Sequence, residues 1–111
     1  MTVNIFGSNW NIIKDYEDDS LFDVDCAGFC EATSKTIVIK KLTEKDMTSV
    51  VDIDSLNKYI LRHELIHAAL IECGLGDNWV RNSMGHDETS VDWLAHKAPQ
   101  LYQIFRDADA I

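Results

Sequence analysis

The apolar positions of this chain change period part-way along it. Thr2 to Phe6 is β-prone and ends at Gly7-Ser8-Asn9. Trp10 to Lys14 resumes with Trp10 and Ile12 alternating against Asn11, so the two segments are expected to form a hairpin. Asp23 to Glu31 carries Val24, Cys26, Gly28 and Cys30 in period two, and Ala32-Thr33-Ser34 reads as a turn. Lys35-Thr36-Ile37-Val38-Ile39-Lys40 is the clearest strand. Residues 41–52 are polar and predict at most a short turn near Thr43-Glu44-Lys45-Asp46.

Beyond Ile53 the spacing becomes helical. Leu56, Tyr59, Ile60, Leu65, Ile66, Ala69, Leu70 and Ile71 occupy more than one helical face, which predicts a helix buried within a domain. Asp52 or Asp54 can cap its start, and Gly74 can stop it. Residues 74–85 show no clear pattern. Asp87 can cap a second helix over Glu88 to His96. Pro99 is expected to kink or interrupt that helix, or to sit in the first turn of a following helix through Phe105. Strands first and helices after predict an α+β class. The expected architecture is one domain over residues 1–111, with an N-terminal antiparallel or mixed sheet of three to four strands followed by two helices.

Composition narrows the partners. The chain has 111 residues, is 46% hydrophobic and carries a net charge of −9, with thirteen Asp. Such a surface repels phosphate backbones, so direct nucleic-acid binding is not expected. The run Asp15-Tyr16-Glu17-Asp18-Asp19 reads as a solvated loop. Cys26, Cys30 and Cys73 make an odd count without paired C-x-x-C spacing, which argues against a disulfide framework or a zinc ribbon and for reduced thiols in a cytoplasmic protein. The first residues have no basic region and no long apolar stretch, so neither a signal peptide nor a membrane anchor is expected.

The chemistry lies in the first helix. His63-Glu64-Leu65-Ile66-His67 is H-E-x-x-H. Residues four apart share one helical face, so two imidazoles can hold one Zn²⁺ at about 2.0–2.1 Å each. Glu64 then lies where its carboxylate can act as general base on a water. The competing explanation is a core helix whose histidines are satisfied by hydrogen bonds; it leaves Glu64 unexplained in so apolar a helix.

A catalytic zinc usually has three protein ligands. The chain beyond His67 offers Cys73, Asp77, His86, Asp87, Glu88, Asp92 and His96. The metzincin continuation fails twice, because its Gly position is Leu70 and its third-His position is Cys73. Glu88 is the preferred third ligand. Asp92, one turn on, can accept the other N–H of a ligand histidine and fix its tautomer. The bland alternative is an acidic first turn favoured by the helix dipole. His86 is a candidate substitute ligand or oxyanion donor, or an ordinary surface residue. His96 falls on the Glu88/Asp92 stripe and reads as structural. Tyr59 and Tyr102 are further oxyanion-donor candidates, and Trp79 and Trp93 read as core or rim packing.

With both helices in view, the chain resembles the zincin metallopeptidases of the gluzincin-like group, and more narrowly the small zincin-like proteins encoded by bacteriophages and prophages. The matching features are Trp10-Asn11-Ile12, Gly28-Phe29 followed by Ser34-Lys35-Thr36-Ile37-Val38-Ile39, His63-Glu64-Leu65-Ile66-His67-Ala68, and Val91-Asp92-Trp93-Leu94-Ala95 with Pro99 soon after. The resemblance implies a Zn²⁺ cofactor held by His63, His67 and Glu88, with Glu64 as the base. It also implies that Ile37, Val38 and Ile39 form an edge strand along which a peptide or protein substrate lies by strand addition. The phage group often carries an aromatic–Asp pair just before that strand; here the region is Phe29-Cys30-Glu31, which leaves substrate preference open.

The function expected is therefore a zinc-dependent peptidase of the cytoplasm, or of a host cytoplasm if phage-encoded. A different class of function is a non-catalytic acidic binding module on the same scaffold, with metal structural or absent, that engages a basic partner. A third is a structural metal clip, which predicts a closed site completed by Cys73 or His86.

Overall fold

Thr2–Ile5 (β1) and Ser8–Tyr16 (β2) pair antiparallel with Ile5 opposite Ser8. Phe6 and Gly7 are thus the two turn residues, with φ of 50° and 95°. Two positive φ values make a turn whose twist matches the flanking strands. The expected hairpin is present, but its turn sits earlier than Gly7-Ser8-Asn9. The Asn4 side chain accepts the Gly7 N–H at 3.0 Å and closes the turn. Val3, Ile5, Trp10 and Ile12 point to one side, in the period of two read from the sequence. The structure, a computed structural model, describes residues 1–22, 26–42, 52–78, 85–109 and 111, with backbone only at 77–78, 85–86 and 104–105.

β2 runs on through Tyr16, beyond the expected end at Lys14. Ile13 pairs with Val38 and Tyr16 with Lys40, so β2 carries one extra residue there, and Asp15 takes a φ of 55° at the bulge. The acidic run therefore begins inside a strand, and Glu17, Asp18 and Asp19 are exposed.

Gly28–Glu31 (β3) and Thr36–Lys40 (β4) form a second antiparallel pair. The Glu31 carboxylate closes their turn by accepting from the backbone N–H and hydroxyl groups of both Thr33 and Ser34. The hydrogen bonds from Ser34 and Thr33 pull the Glu31 carboxyl down to about 2. The strand expected from Asp23 is observed from Gly28; residues 23–25 lie outside the described residues, as does the turn expected at 43–46.

The sheet order is β1-β2-β4-β3, with β4 parallel to β2 and antiparallel to β3. This corrects one expectation. Ile37, Val38 and Ile39 lie in β4, which is paired on both sides and is not an edge. All three are buried. Three consecutive apolar residues are what a strand covered on both faces requires. Among the described residues, the strand nearer the helices' chemistry with one side unpaired is β3.

Ile53–Glu72 (α1) lies across the sheet. Asp52 is its cap, accepting the Ser55 N–H at 3.0 Å. At the other end Gly74 takes a φ of 78°. Leu75 N–H reaches Leu70 O at 2.8 Å and Gly74 N–H reaches Ile71 O at 3.0 Å, the paired bonds of a Schellman stop. α1 buries Ile60, Glu64 and Ala68, one residue per turn, against Ile5, Trp10, Ile12, Ile37 and Ile39. A carboxylate thus sits in the middle of the helix's buried stripe. At the end of α1, Glu72 receives the Trp10 indole N–H at 2.8 Å and the Ser8 hydroxyl at 2.9 Å, with the Lys35 ammonium at 3.1 Å. That cluster fastens α1 to both hairpins.

Glu88–Asp107 (α2) packs on α1 and buries Val91 and Ala95. Asp87 caps it as expected, accepting the Ser90 N–H at 2.7 Å. Pro99 does not interrupt it; the helix runs through. A proline lacks the N–H that the carbonyl four residues earlier would receive. Here that carbonyl belongs to Ala95, and the Arg62 side chain on α1 donates its Nε–H to it at 2.8 Å. Trp93 is 53% exposed and is no part of the core. Asp77–Asn78 (β5) and Gly85–His86 (β6) form a short parallel pair between the helices in sequence. Among the described residues, no helix is long and apolar enough to cross a membrane.

Candidate metal centre

Helical spacing alone brings the two imidazoles together. His63 and His67 are one turn apart on α1, with Nε2 atoms 3.1 Å from each other. The third donor comes from α2. Glu88 places Oε2 3.4 Å from His63 Nε2 and Oε1 3.2 Å from His67 Nε2. These three residues form a cluster with the composition and spacing to hold a metal ion.

Those separations test whether zinc would fit. A tetrahedral centre with bonds of about 2.0–2.1 Å sets its ligand atoms about 3.3 Å apart. The observed spacings of 3.1, 3.2 and 3.4 Å bracket that value. Two imidazoles and one carboxylate also suit a zinc ion that keeps a further position open. In the absence of an ion, the short Nε2–Nε2 distance also admits a hydrogen bond between the rings.

Asp92 lies one turn beyond Glu88, and its Oδ1 is 2.9 Å from His63 Nδ1. Donation from Nδ1–H to that carboxylate leaves the Nε2 lone pair facing the cluster. Tyr59 donates its hydroxyl to the same oxygen at 3.4 Å. Burial raises the Tyr59 phenol, and the Asp92 charge raises it further. His96 stacks on the Tyr59 ring at 4.2 Å between centroids. A ladder results: His67 meets Glu88, His63 meets Asp92, and Tyr59 meets His96. Each turn toward the start of α1 matches one turn toward the end of α2, so the helices run in opposite directions at their contact.

Glu64 faces the same cleft from the buried stripe of α1. Its Oε1 is 3.9 Å from His63 Nε2, and the residue is 6% exposed. Burial pushes its carboxyl up to about 7; the Cys30 thiol opposes the rise by hydrogen bonding, and Glu88 adds to it by repulsion. Burial likewise pushes the Cys30 thiol up, helped by the Glu64 charge, so this cysteine is a neutral donor. Gly28 on β3 completes the enclosure. A Cβ there would lie 3.1 Å from Glu64 Cγ, from Ile39 Cδ1 and from Val38 O. A methyl group there would require Glu64, Ile39 or the Val38 main chain to shift by a few tenths of an ångström.

A cleft of about 720 Å³ opens over this arrangement, lined by β3 and its lead-in from Cys26 to Cys30, by His63, Glu64 and His67, and by Glu88 and Asp92. The Glu88 and Asp92 side chains are 62% and 53% exposed, so solvent reaches the cluster from the α2 side.

The structure therefore gathers His63, Glu64, His67, Glu88 and Asp92 within one cleft. It leaves others away from it. Cys73 is exposed in the cap of α1 and is not in the cluster, and Tyr102 is exposed on α2 beside Arg106. The backbone of His86 lies in β6, but its side chain is outside the described residues, as is Trp79. Sequence reasoning did not assign site roles to Gly28, Cys30 or Arg62. A glycine inside a strand pattern does signal close approach, and that was the available clue for Gly28. No protein-family model, no curated protein and no solved structure matches this chain.

Proposed function

We infer that this chain is a metal-dependent peptidase of the gluzincin type, with zinc as the metal that the donor set favours. One observation carries the inference: three donor atoms at tetrahedral spacing, made by His63, His67 and Glu88, beside a buried carboxylate in an open cleft. When bound, a divalent ion there supplies Lewis acidity toward a water and a carbonyl oxygen.

The remaining steps belong to side chains of the protein. Glu64 accepts a proton from the attacking water and delivers it to the leaving amine nitrogen. Burial raises its carboxyl in the metal-free protein, and a divalent ion beside it would favour the carboxylate form that accepts the proton. The Cys30 thiol donates to the Glu64 backbone carbonyl at 3.1 Å, and Gly28 packs closely against the Glu64 side chain. Asp92 orients His63 and favours the tautomer that donates from Nδ1. β3, unpaired on one side among the described residues, borders the cleft, so an extended peptide would add to Gly28–Glu31 rather than to β4.

The test compares the parent with Glu64→Gln on a denatured-protein or peptide-library substrate, with and without added zinc and with a chelator. Zinc-dependent cleavage by the parent and none by the variant, at equal zinc content, is the expected result. Equal cleavage by both would remove Glu64 from the chemistry. Zinc binding without any cleavage by the parent would favour the acidic binding module over the enzyme.

A further inference from the structure

We propose that Arg62 is a positioning residue for the metal centre: its bond to the Ala95 carbonyl fixes the height of α2 along α1, and so the reach of Glu88 to His63 and His67. The proposal rests on the metal-dependent function inferred above. Glu88 and Asp92 have side chains 62% and 53% exposed, so packing around them does not hold them in place. Their positions are set by where α2 lies. The buried contacts of α2 include Val91 and Ala95, apolar residues whose packing carries no directional bond. A slip of one helical turn would move Glu88 by about 5.4 Å, more than the 3.2 to 3.4 Å that separates it from the imidazoles.

A directional tie is therefore needed, and the chain has built one into the backbone. Pro99 removes the intrahelical N–H that Ala95 O would accept. Arg62, the residue just before His63, supplies Nε–H to that oxygen at 2.8 Å. The other rungs are made by the candidate donors themselves or by the exposed His96 ring on Tyr59. Arg62 is half-buried and grips main chain rather than a mobile side chain, and the carbonyl it holds, that of Ala95, lies about one turn beyond Asp92 on α2.

The pairing of Arg62 with Pro99 makes the idea separable from a plain stabilising role. The variants are R62A, P99A and R62A/P99A. Three quantities are measured on each: the metal-free melting temperature, zinc affinity by competition with a chromophoric chelator, and the visible spectrum of the cobalt-substituted protein. R62A is expected to melt lower, to bind zinc about 10- to 100-fold more weakly, and to show a shifted cobalt spectrum. In R62A/P99A the restored N–H of residue 99 satisfies Ala95 O, so the melting temperature recovers toward that of P99A while the weak affinity and altered spectrum persist. Recovery of affinity together with stability would overturn the proposal, since Arg62 would then only satisfy a carbonyl. Parent-like affinity in R62A would overturn it as well. A parent protein that binds neither metal would end the functional inference itself, and this one with it.

Discussion

Two carboxylates on α1, two turns apart, face opposite fates. Glu72 ends the helix among donors: the Trp10 indole, the Lys35 ammonium and the Ser8 hydroxyl all reach it, and together they pull its carboxyl below the usual range. Glu64 is buried in the helix's apolar stripe beside a neutral thiol and within the field of Glu88, and its carboxyl rises to about 7. The same chemical group is a fastener in one place and, on the function proposed above, a proton carrier in the other. Donors stabilise the anion; burial that outweighs them destabilises it. Glu72 is explained by the fold it holds together. Among the described residues no set of donors like that around Glu72 surrounds Glu64, and a buried carboxylate that costs stability is a candidate for a functional role.

The comparison breaks first in turnover. Glu64→Gln should lower cleavage by on the order of 10²–10⁴-fold while zinc content stays at the parent level, whereas Glu72→Gln should leave the rate constant of folded protein unchanged. Steady-state kinetics with metal analysis on both variants checks this; equal losses would erase the distinction.

Removing His67 comes next. The parent should gain about 4 kcal/mol of stability at zinc a thousandfold above its dissociation constant, read as a rise in melting temperature. His67→Ala should gain almost none. A similar rise in both would place the ion elsewhere.

Acidity separates the two carboxylates by sign. Glu64 moves from 4.5 unfolded to about 7 folded. Its contribution to the metal-free protein is complete below pH 4.5 and disappears as pH rises through 7, a loss on the order of 3 kcal/mol. Glu72 is shifted down from 4.5, so its contribution is complete above that pH and is lost as pH falls through its lowered folded value. Melting curves of metal-free protein from about pH 2 to 8 should therefore lose their neutral-side slope in Glu64→Gln and part of their acid-side slope in Glu72→Gln. Unchanged slopes in either variant would refute the corresponding assignment.

The smallest effect sharpens the picture of enclosure. Gly28→Ala puts a methyl group 3.1 Å from Glu64 Cγ. Overpacking of this kind costs about 1–3 kcal/mol, and it should also slow turnover by displacing the carboxylate. A melting shift without a rate change would show that the strand yields and Glu64 does not.

Much of this arrangement is legible in the sequence because it is local. The i, i+4 spacing of His63 and His67, the Asp52 and Asp87 caps, the Gly74 stop and the β1–β2 hairpin all follow from rules that act over a few residues. Glu88 and Asp92 were reachable because one helical turn separates them. What stayed hidden depends on distant partners. The place of β4 inside the sheet is set by pairing with both β2 and β3, which strand periodicity does not encode; three successive apolar residues in Ile37, Val38 and Ile39 were the one hint of it. Pro99 reads as a helix breaker until Arg62, on the other helix, is seen to serve the carbonyl it leaves open. The matching of rungs between α1 and α2 exists only once their register is known.

The central claim is that His63, His67 and Glu88 surround one metal ion and leave it an open position. X-ray absorption at the zinc edge, on protein purified without chelator or nickel, tests it most directly. The account predicts one zinc per chain, bound by two imidazole nitrogens and carboxylate oxygen at about 2.0–2.1 Å, with the signal lost in His67→Ala. A sulfur neighbour, four protein ligands, or protein that takes up no zinc would contradict it.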